Sequence, residues 1–266
     1  MSEHLGRVLI LAGSDSGGGA GVQADIKTVT ALGGHAATAI TAITVQNTLG
    51  VQAVHPLSPE LVTAQARAVL DDIGTDAIKT GMLGDAAMIE AVAAVIASSG
   101  APAVVDPVMV AKGGAALLEP YAVQALSDAL IPLAALLTPN APEAAALTGL
   151  TVETTGDLRR AADVLLARGA GAVLMKGGHI AGDRVVDLLV TPVGETRFES
   201  GRIDTRHTHG TGCTLASAVA VGLAQGHSLQ RSVERAHAYV QEAIRRAPGL
   251  GKGHGPLDHA WPMRGS

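Results

Sequence analysis

The segment His209-Gly210-Thr211-Gly212-Cys213-Thr214 runs directly into the apolar stretch Leu215-Ala216-Ser217-Ala218-Val219. A glycine-rich turn that opens a helix leaves several backbone N–H groups without carbonyl partners, all aimed at one spot. Such a spot binds phosphate and holds negative charge that develops during phosphoryl transfer. Gly210 and Gly212 carry no side chain, so a transferring group can approach the backbone closely. Cys213 is the only cysteine of the chain and falls in the first turn of that helix. A thiolate is favoured there, so the expectation is a lowered pKa and a place against the attacking hydroxyl, as base or as positioning group.

Other residues of the same chemistry close apolar runs. Lys176-Gly177-Gly178 follows the run at 171–175, where a flexible point charge suits nucleotide phosphates. Asp106, Asn140 and Glu143 end or follow two candidate strands. Mg2+ takes oxygen ligands and keeps several waters, so Asp106 and Glu143 suffice to hold it, through water, beside ATP. Glu143 has a second reading, because Ala141-Pro142-Glu143 opens a helix and an acidic group there offsets the positive dipole end. The cluster Gly17-Gly18-Gly19-Ala20-Gly21 matches neither a Walker A loop nor a dinucleotide fingerprint. It is either a tight strand-to-helix turn or a loop closing over a reactive group. His207 and His209 lack an evident third partner for a metal, and the role expected of His209 is a hydrogen bond that shapes the turn.

These groups need a scaffold that brings them to one edge. Apolar runs at 8–12, 36–43, 76–78, 103–105, 134–137 and 172–175 are continuous rather than alternating, as buried strands are. Helical patterns at 20–32, 60–70, 86–97, 121–130 and 158–168 separate them. This is the pattern of βαβ units around a mainly parallel sheet, whose ligands sit beyond the carboxyl ends of the strands. A hairpin is expected over 185–199, and two long helices over 212–224 and 229–246. The Gly-, Pro- and His-rich tail at 249–266 should carry little regular structure. No linker splits the chain, so residues 1–266 are read as one α/β domain.

Composition narrows the partners. Hydrophobic residues are 47% of the 266, but aromatic ones only 2%, so small aliphatic side chains must fill the interior, as in layered helix and sheet. The formal charge is -5 with no basic stripe, which argues against a nucleic-acid partner. A single thiol excludes an intramolecular disulfide and a cysteine-based zinc cluster. The opening Met1-Ser2-Glu3-His4 lacks a secretory layout and no run suits a membrane span, so a cytoplasmic location is expected.

With these residues assembled, the chain resembles the hydroxymethylpyrimidine/phosphomethylpyrimidine kinases of thiamine biosynthesis, in the ribokinase-like superfamily. The resemblance runs nearly end to end. It is carried by Ala12-Gly13-Ser14-Asp15, Gln23-Ala24-Asp25, Gln46-Asn47-Thr48, Lys79-Thr80-Gly81-Met82-Leu83, Val105-Asp106-Pro107-Val108-Met109, Thr138-Pro139-Asn140-Ala141-Pro142-Glu143, Met175-Lys176-Gly177-Gly178-His179 and the 208–214 turn. It implies a three-layer fold with a mainly parallel central sheet flanked by helices. It also implies two ATP- and Mg2+-dependent phosphorylations, of the alcohol 4-amino-5-hydroxymethyl-2-methylpyrimidine and then of its monophosphate, in a homodimer. The pyrimidine pocket it implies is Gly13, Asp25, Val45 or its neighbour Gln46, Met82 and Val108, with Cys213 near the hydroxymethyl group. A Gln46 amide can donate and accept toward an aminopyrimidine edge, and Asp25 can accept from the ring amine. Lys176, Gly210, Thr211 and Gly212 go to the phosphate region, and Asp106, Asn140 and Glu143 to the Mg2+–ATP side. Many superfamily relatives place an aspartate where Cys213 stands. The alternatives kept open are a pyridoxal-type kinase of the same fold and a nucleotide-binding regulator without turnover.

Overall fold

The computed structural model describes residues 4–110, 114, 117–119 and 121–264. Residues 1–3 of the opening segment and 265–266 of the tail lie outside them.

The first apolar run forms β1 (Arg7–Ser14), followed by α1 (Gly21–Ala31), β2 (His35–Asn47), β3 (Gly50–Pro56), α2 (Pro59–Asp72) and β4 (Ala77–Thr80). Then come α3 (Ala86–Ser99), β5 (Ala103–Val105), α4 (Ala122–Ala125), β6 (Ala134–Leu137), α5 (Ala141–Thr148), α6 (Thr155–Ala167) and β7 (Val173–Met175). A hairpin of β8 (Arg184–Thr191) and β9 (Gly194–Gly201) precedes α7 (Thr211–Ala224) and α8 (Leu229–Arg245). Among the described residues, one nine-stranded sheet collects the strands in the order β3-β2-β1-β4-β5-β6-β7-β8-β9. Pairing is parallel from β2 through β7 and antiparallel where β3, β8 and β9 extend it.

Both faces of the central strands are covered, which is why their runs are apolar without alternation. Leu9, Leu11, Ile78, Val105, Leu137 and Val173 join the apolar cluster of α2, α3, α5 and α6. Their neighbours Val8, Ile10, Ala12, Ala77, Val104 and Leu174 join the cluster of α1, α7 and α8 on the other face. The result is three layers. β1 has β2 on one side and β4 on the other, so the strand order reverses there and a crevice opens at its carboxyl end.

Two expectations change. The strand expected at 76–78 extends to Thr80, so Lys79 is a strand residue rather than a loop residue. The helix expected over 121–130 begins as α4 but continues as a π-helical turn at Leu126–Leu130, then a 3-10 turn at Ile131–Leu133. The tail has little regular structure, as expected, yet it is not loose. Leu257, Asp258 and His259 are buried, Trp261 stacks on Tyr239, and Pro256 bridges to His209. The edge strand β3 went unpredicted, because Gly50-Val51-Gln52-Ala53-Val54-His55 is short and half polar.

Candidate active site

Most helix starts here are closed by a side chain. Ser58 caps α2, Asp85 caps α3, Asn140 and Glu143 form a reciprocal box at α5, Thr154 and Asp157 do so at α6, and Ser228 caps α8. Apart from the four-residue α4, which also lacks a side-chain cap, the helices α1 and α7 differ. Their preceding residues are Ala20 and Gly210, and neither offers a side-chain cap. Both starts meet beyond β1 and β4, so two sets of first-turn N–H groups face one region.

The close fit of the two loops explains their glycines. Gly210 has φ +84°, and a Cβ on it would lie 1.8 Å from the Gly19 carbonyl oxygen. A Cβ on Gly21 would meet the Gly13 oxygen at 2.4 Å, and one on Gly13 would meet Met82 Cε at 2.4 Å. Asp15 ties the loop internally. Its carboxylate accepts from the N–H groups of Gly17, Gly19 and Ala20, and from His209 Nε2 at 2.8 Å. Burial alone would raise the Asp15 pKa, but His209 and the backbone donors hold it below the usual carboxylate value. His209 therefore shapes the turn, as its sequence context suggested, and Gln46 Nε2 reaches the same ring nitrogen at 3.1 Å.

Lys176 stands at the end of β7, and its main chain joins Pro139 and bridges Asn140. Its Nζ donates to Asp106 Oδ1 at 2.8 Å and lies 3.7 Å from Glu143 Oε2. Thr138 donates to the same Asp106 oxygen at 3.0 Å. A Cβ at Gly212 would be 3.1 Å from Lys176 Nζ and 3.7 Å from Asp106 Oδ2. The ammonium therefore rests against the first turn of α7, where only glycine leaves it room. Burial opposes its charge, but Asp106 and Glu143 outweigh that and raise the Lys176 pKa above the ordinary lysine value. Burial pushes Glu143 up to about 7, and the neighbouring Asp106 adds to the shift while Lys176 opposes it. Glu143 fulfils the capping reading made of it, accepting from the Asn140 N–H at 2.8 Å at the start of α5, and it also faces Lys176.

Two expectations for this site are corrected. Cys213, expected to have a lowered pKa, has its thiol pushed up to about 11, because burial outweighs the favourable effects of Lys79 and the Gly21 N–H. Asp25, expected to accept from a ring amine, is closed off from the crevice. It has no exposed surface, Lys79 Nζ bonds both of its oxygens at 2.9 and 2.8 Å, and the Ser217 hydroxyl donates to one at 2.7 Å. Of the two neighbours proposed for the pocket, Gln46 turns toward His209, whereas Val45 sits on the opposite strand face, 45% exposed. Val108 is half-buried just beyond Asp106.

Several residues escaped the sequence reading. Lys79 and Asp187 are charges set within apolar strand runs, a signal that was available. Asp187 accepts from the Gly177 N–H at 2.9 Å and so braces the Lys176 loop. The bond between Thr214 and His259 (3.0 Å) joins positions 45 apart and has no local signature.

The fold and this convergence of a lysine, two carboxylates and an open helix start define a ribokinase-like phosphotransferase. Residues 15–258 match the family model for phosphomethylpyrimidine kinase. A hydroxymethylpyrimidine/phosphomethylpyrimidine kinase of Streptomyces coelicolor is 53% identical over 256 residues, which are 96% of this chain and 95% of that one. Among solved structures, phosphomethylpyrimidine kinase from Clostridium difficile is 40% identical with a TM-score of 0.80, covering 90% of this chain and 99% of that one. Pyridoxal kinase from Staphylococcus aureus, in complex with AMP-PCP and pyridoxal, is 35% identical with a TM-score of 0.91, covering 98% and 96%. The chain belongs to the phosphomethylpyrimidine kinase family.

Proposed function

We propose that the chain acts as a single kinase domain that uses ATP and Mg2+ to phosphorylate 4-amino-5-hydroxymethyl-2-methylpyrimidine and then its monophosphate, for thiamine diphosphate synthesis. The observation that carries this reading is the meeting of Lys176, Asp106 and the uncapped start of α7 at Gly212. There the N–H groups of Gly212 and Cys213 and the Lys176 ammonium can hold a transferring phosphoryl group whose charge spreads over its oxygens. Asp106, Glu143 and Asn140 supply oxygen donors on the nucleotide side. Among the described residues no three His, Cys, Asp or Glu side chains group around a metal position. The two carboxylates of Asp106 and Glu143, both facing Lys176, suit a Mg2+ that keeps waters and phosphate oxygens as its other ligands. When bound, that ion neutralises charge on the phosphates.

The pyrimidine lies, in this reading, between Gly13, Met82, Gln46 and Val108, with its hydroxymethyl group at Cys213. A thiol pushed up to about 11 is protonated near neutral pH, so Cys213 orients the acceptor rather than deprotonating it beforehand. Phosphoryl transfer tolerates this, because its transition state is loose and needs little early deprotonation. The same reading places the enzyme in the cytoplasm as a homodimer. Ile43 and Val45, 43% and 45% exposed on β2, offer an apolar contact face. No helix among the described residues is long and apolar enough to cross a membrane.

Phosphorylation of pyridoxal is the second reading, favoured by the likeness to the Staphylococcus aureus pyridoxal kinase. ADP release with the pyrimidine alcohol, its monophosphate and pyridoxal, measured side by side, separates the possibilities. The expected result is turnover with both pyrimidines. Turnover with pyridoxal alone overturns the first reading, and nucleotide binding with no acceptor-dependent ADP release points to a regulator.

A further inference from the structure

Lys79 is the largest side chain with no exposed surface among the described residues. It occupies the third position of β4, where Ala77 faces the layer of α1 and α7 and Ile78 faces the other layer. Lys79 therefore enters the α1/α7 layer. There its ammonium, both oxygens of Asp25 and the Ser217 hydroxyl form one fully buried cluster. A Cβ at Gly81 would be 3.1 Å from Lys79 Nζ, so the glycine leaves room for the ammonium at the strand end.

The positions of the two partners give the cluster its meaning. Asp25 stands one turn after Gly21 on α1, and Ser217 one turn after Cys213 on α7. At the top of the same pair of columns the two loops meet, where a Cβ on Gly210 would lie 1.8 Å from the Gly19 carbonyl oxygen. The cluster thus sits immediately beneath the contact between the two uncapped helix starts. Desolvating a lysine and an aspartate costs several kcal/mol per ion, and apolar replacements of buried pairs are often as stable or more so. Stability alone gives no reason to keep these charges.

We propose that Lys79 is a positioning residue for phosphoryl transfer: clamped by Asp25 and Ser217, it ties the first turns of α1 and α7 together and holds a fixed positive charge beneath Cys213 and the acceptor oxygen. The charged groups that face Cys213 are Lys79 from β4, Asp25 from α1, Asp106 beyond β5 and Lys176 beyond β7. Lys79 favours the thiolate and outweighs Asp25, which opposes it. The catalytic part of this inference rests on the kinase reading above, whereas the effect on the thiol does not.

Cys213 is the only thiol of the chain, so the pH profile of its alkylation by iodoacetamide reads its ionisation without any substrate. Lys79→Met alone strands a buried carboxylate, so the decisive variant is Lys79→Met/Asp25→Leu, which removes both charges. It is expected to fold, to alkylate about threefold or more slowly at a given pH because its profile moves upward, and to lose about tenfold or more in kcat with the pyrimidine alcohol while KM for ATP stays within about twofold. Asp25→Asn leaves the buried lysine without its counter-charge and opens the clamp, and its kcat is expected to fall about tenfold or more. A folded double variant with the wild-type alkylation profile, or with wild-type kcat, overturns the proposal. So does a folded Asp25→Asn protein with wild-type kcat. Failure of the kinase reading would show instead as wild-type protein without turnover, with the alkylation shifts intact.

Discussion

Cys213 shows how one residue can be correctly placed and wrongly tuned. Its sequence context put it in the first turn of a helix, next to an anion turn, and the structure keeps it there. The pKa went the other way because dipole and amide effects fade against burial, and burial cannot be seen in a local motif. The consequence is a pH dependence that differs between the two phosphorylations. The thiol of the free enzyme is neutral near pH 7 and ionises only as the pH climbs toward about 11. The ratio of kcat on the alcohol to kcat on the monophosphate should therefore rise with pH, because only the alcohol has a hydroxyl proton to lose. Cys213→Ser should flatten that rise, and an unchanged ratio profile in the variant would count against any proton role for the thiol. Lys176, Asp106, Asn140 and Glu143 were legible for a different reason: each is a polar residue standing just past an apolar run. Asp25 and Lys79 were not legible as a pair, since the ion pair spans α1 and β4.

The element scale explains why the anion site is where it is. Five helices carry side-chain caps, while α1 and α7 start on residues that leave their N–H groups for something else. That contrast was partly readable, because Ser58, Asp85 and Asn140 have side chains that can accept from the first turn and Ala20 and Gly210 do not. The approach of the two open starts was not. It depends on Gly210 at φ +84° lying against the Gly19 carbonyl, a contact between segments almost two hundred residues apart. Gly210→Ala is expected to cost about 1–3 kcal/mol in stability for its backbone strain alone. It should also cost far more in kcat than in pyrimidine binding, since it must move the turn off Gly19. Thermal denaturation together with kcat and KM for both substrates checks this. A variant with wild-type kcat would show that the turn tolerates displacement.

At the scale of the whole molecule, the last stretch of chain fastens the site from behind. His209 bridges Pro256, the Tyr239 hydroxyl donates to the His259 carbonyl at 2.6 Å, and His259 Nε2 meets the Thr214 hydroxyl. Burial drives the His259 pKa down to about 4 from the ordinary 6.5, so the folded protein holds this ring neutral. The unfolded chain takes up a proton near 6.5 and the folded one only near 4. The stabilisation is therefore complete above 6.5 and is lost as the pH falls toward 4, by roughly 3 kcal/mol. The melting temperature should drop across that window, and His259→Gln should shallow the drop. An equally steep fall in the variant would assign the acid sensitivity to other groups. By itself, the sequence determined the layered α/β class, the order of strands and helices apart from the edge strand β3, and the polar residues at the strand ends, because periodicity and local motif chemistry are short-range. The tertiary structure alone decided that Asp25 serves Lys79 rather than the crevice, that the Cys213 thiol is raised rather than lowered, and that the tail braces the anion turn. Each of those depends on desolvation and on partners distant in sequence, which only the packed chain brings together.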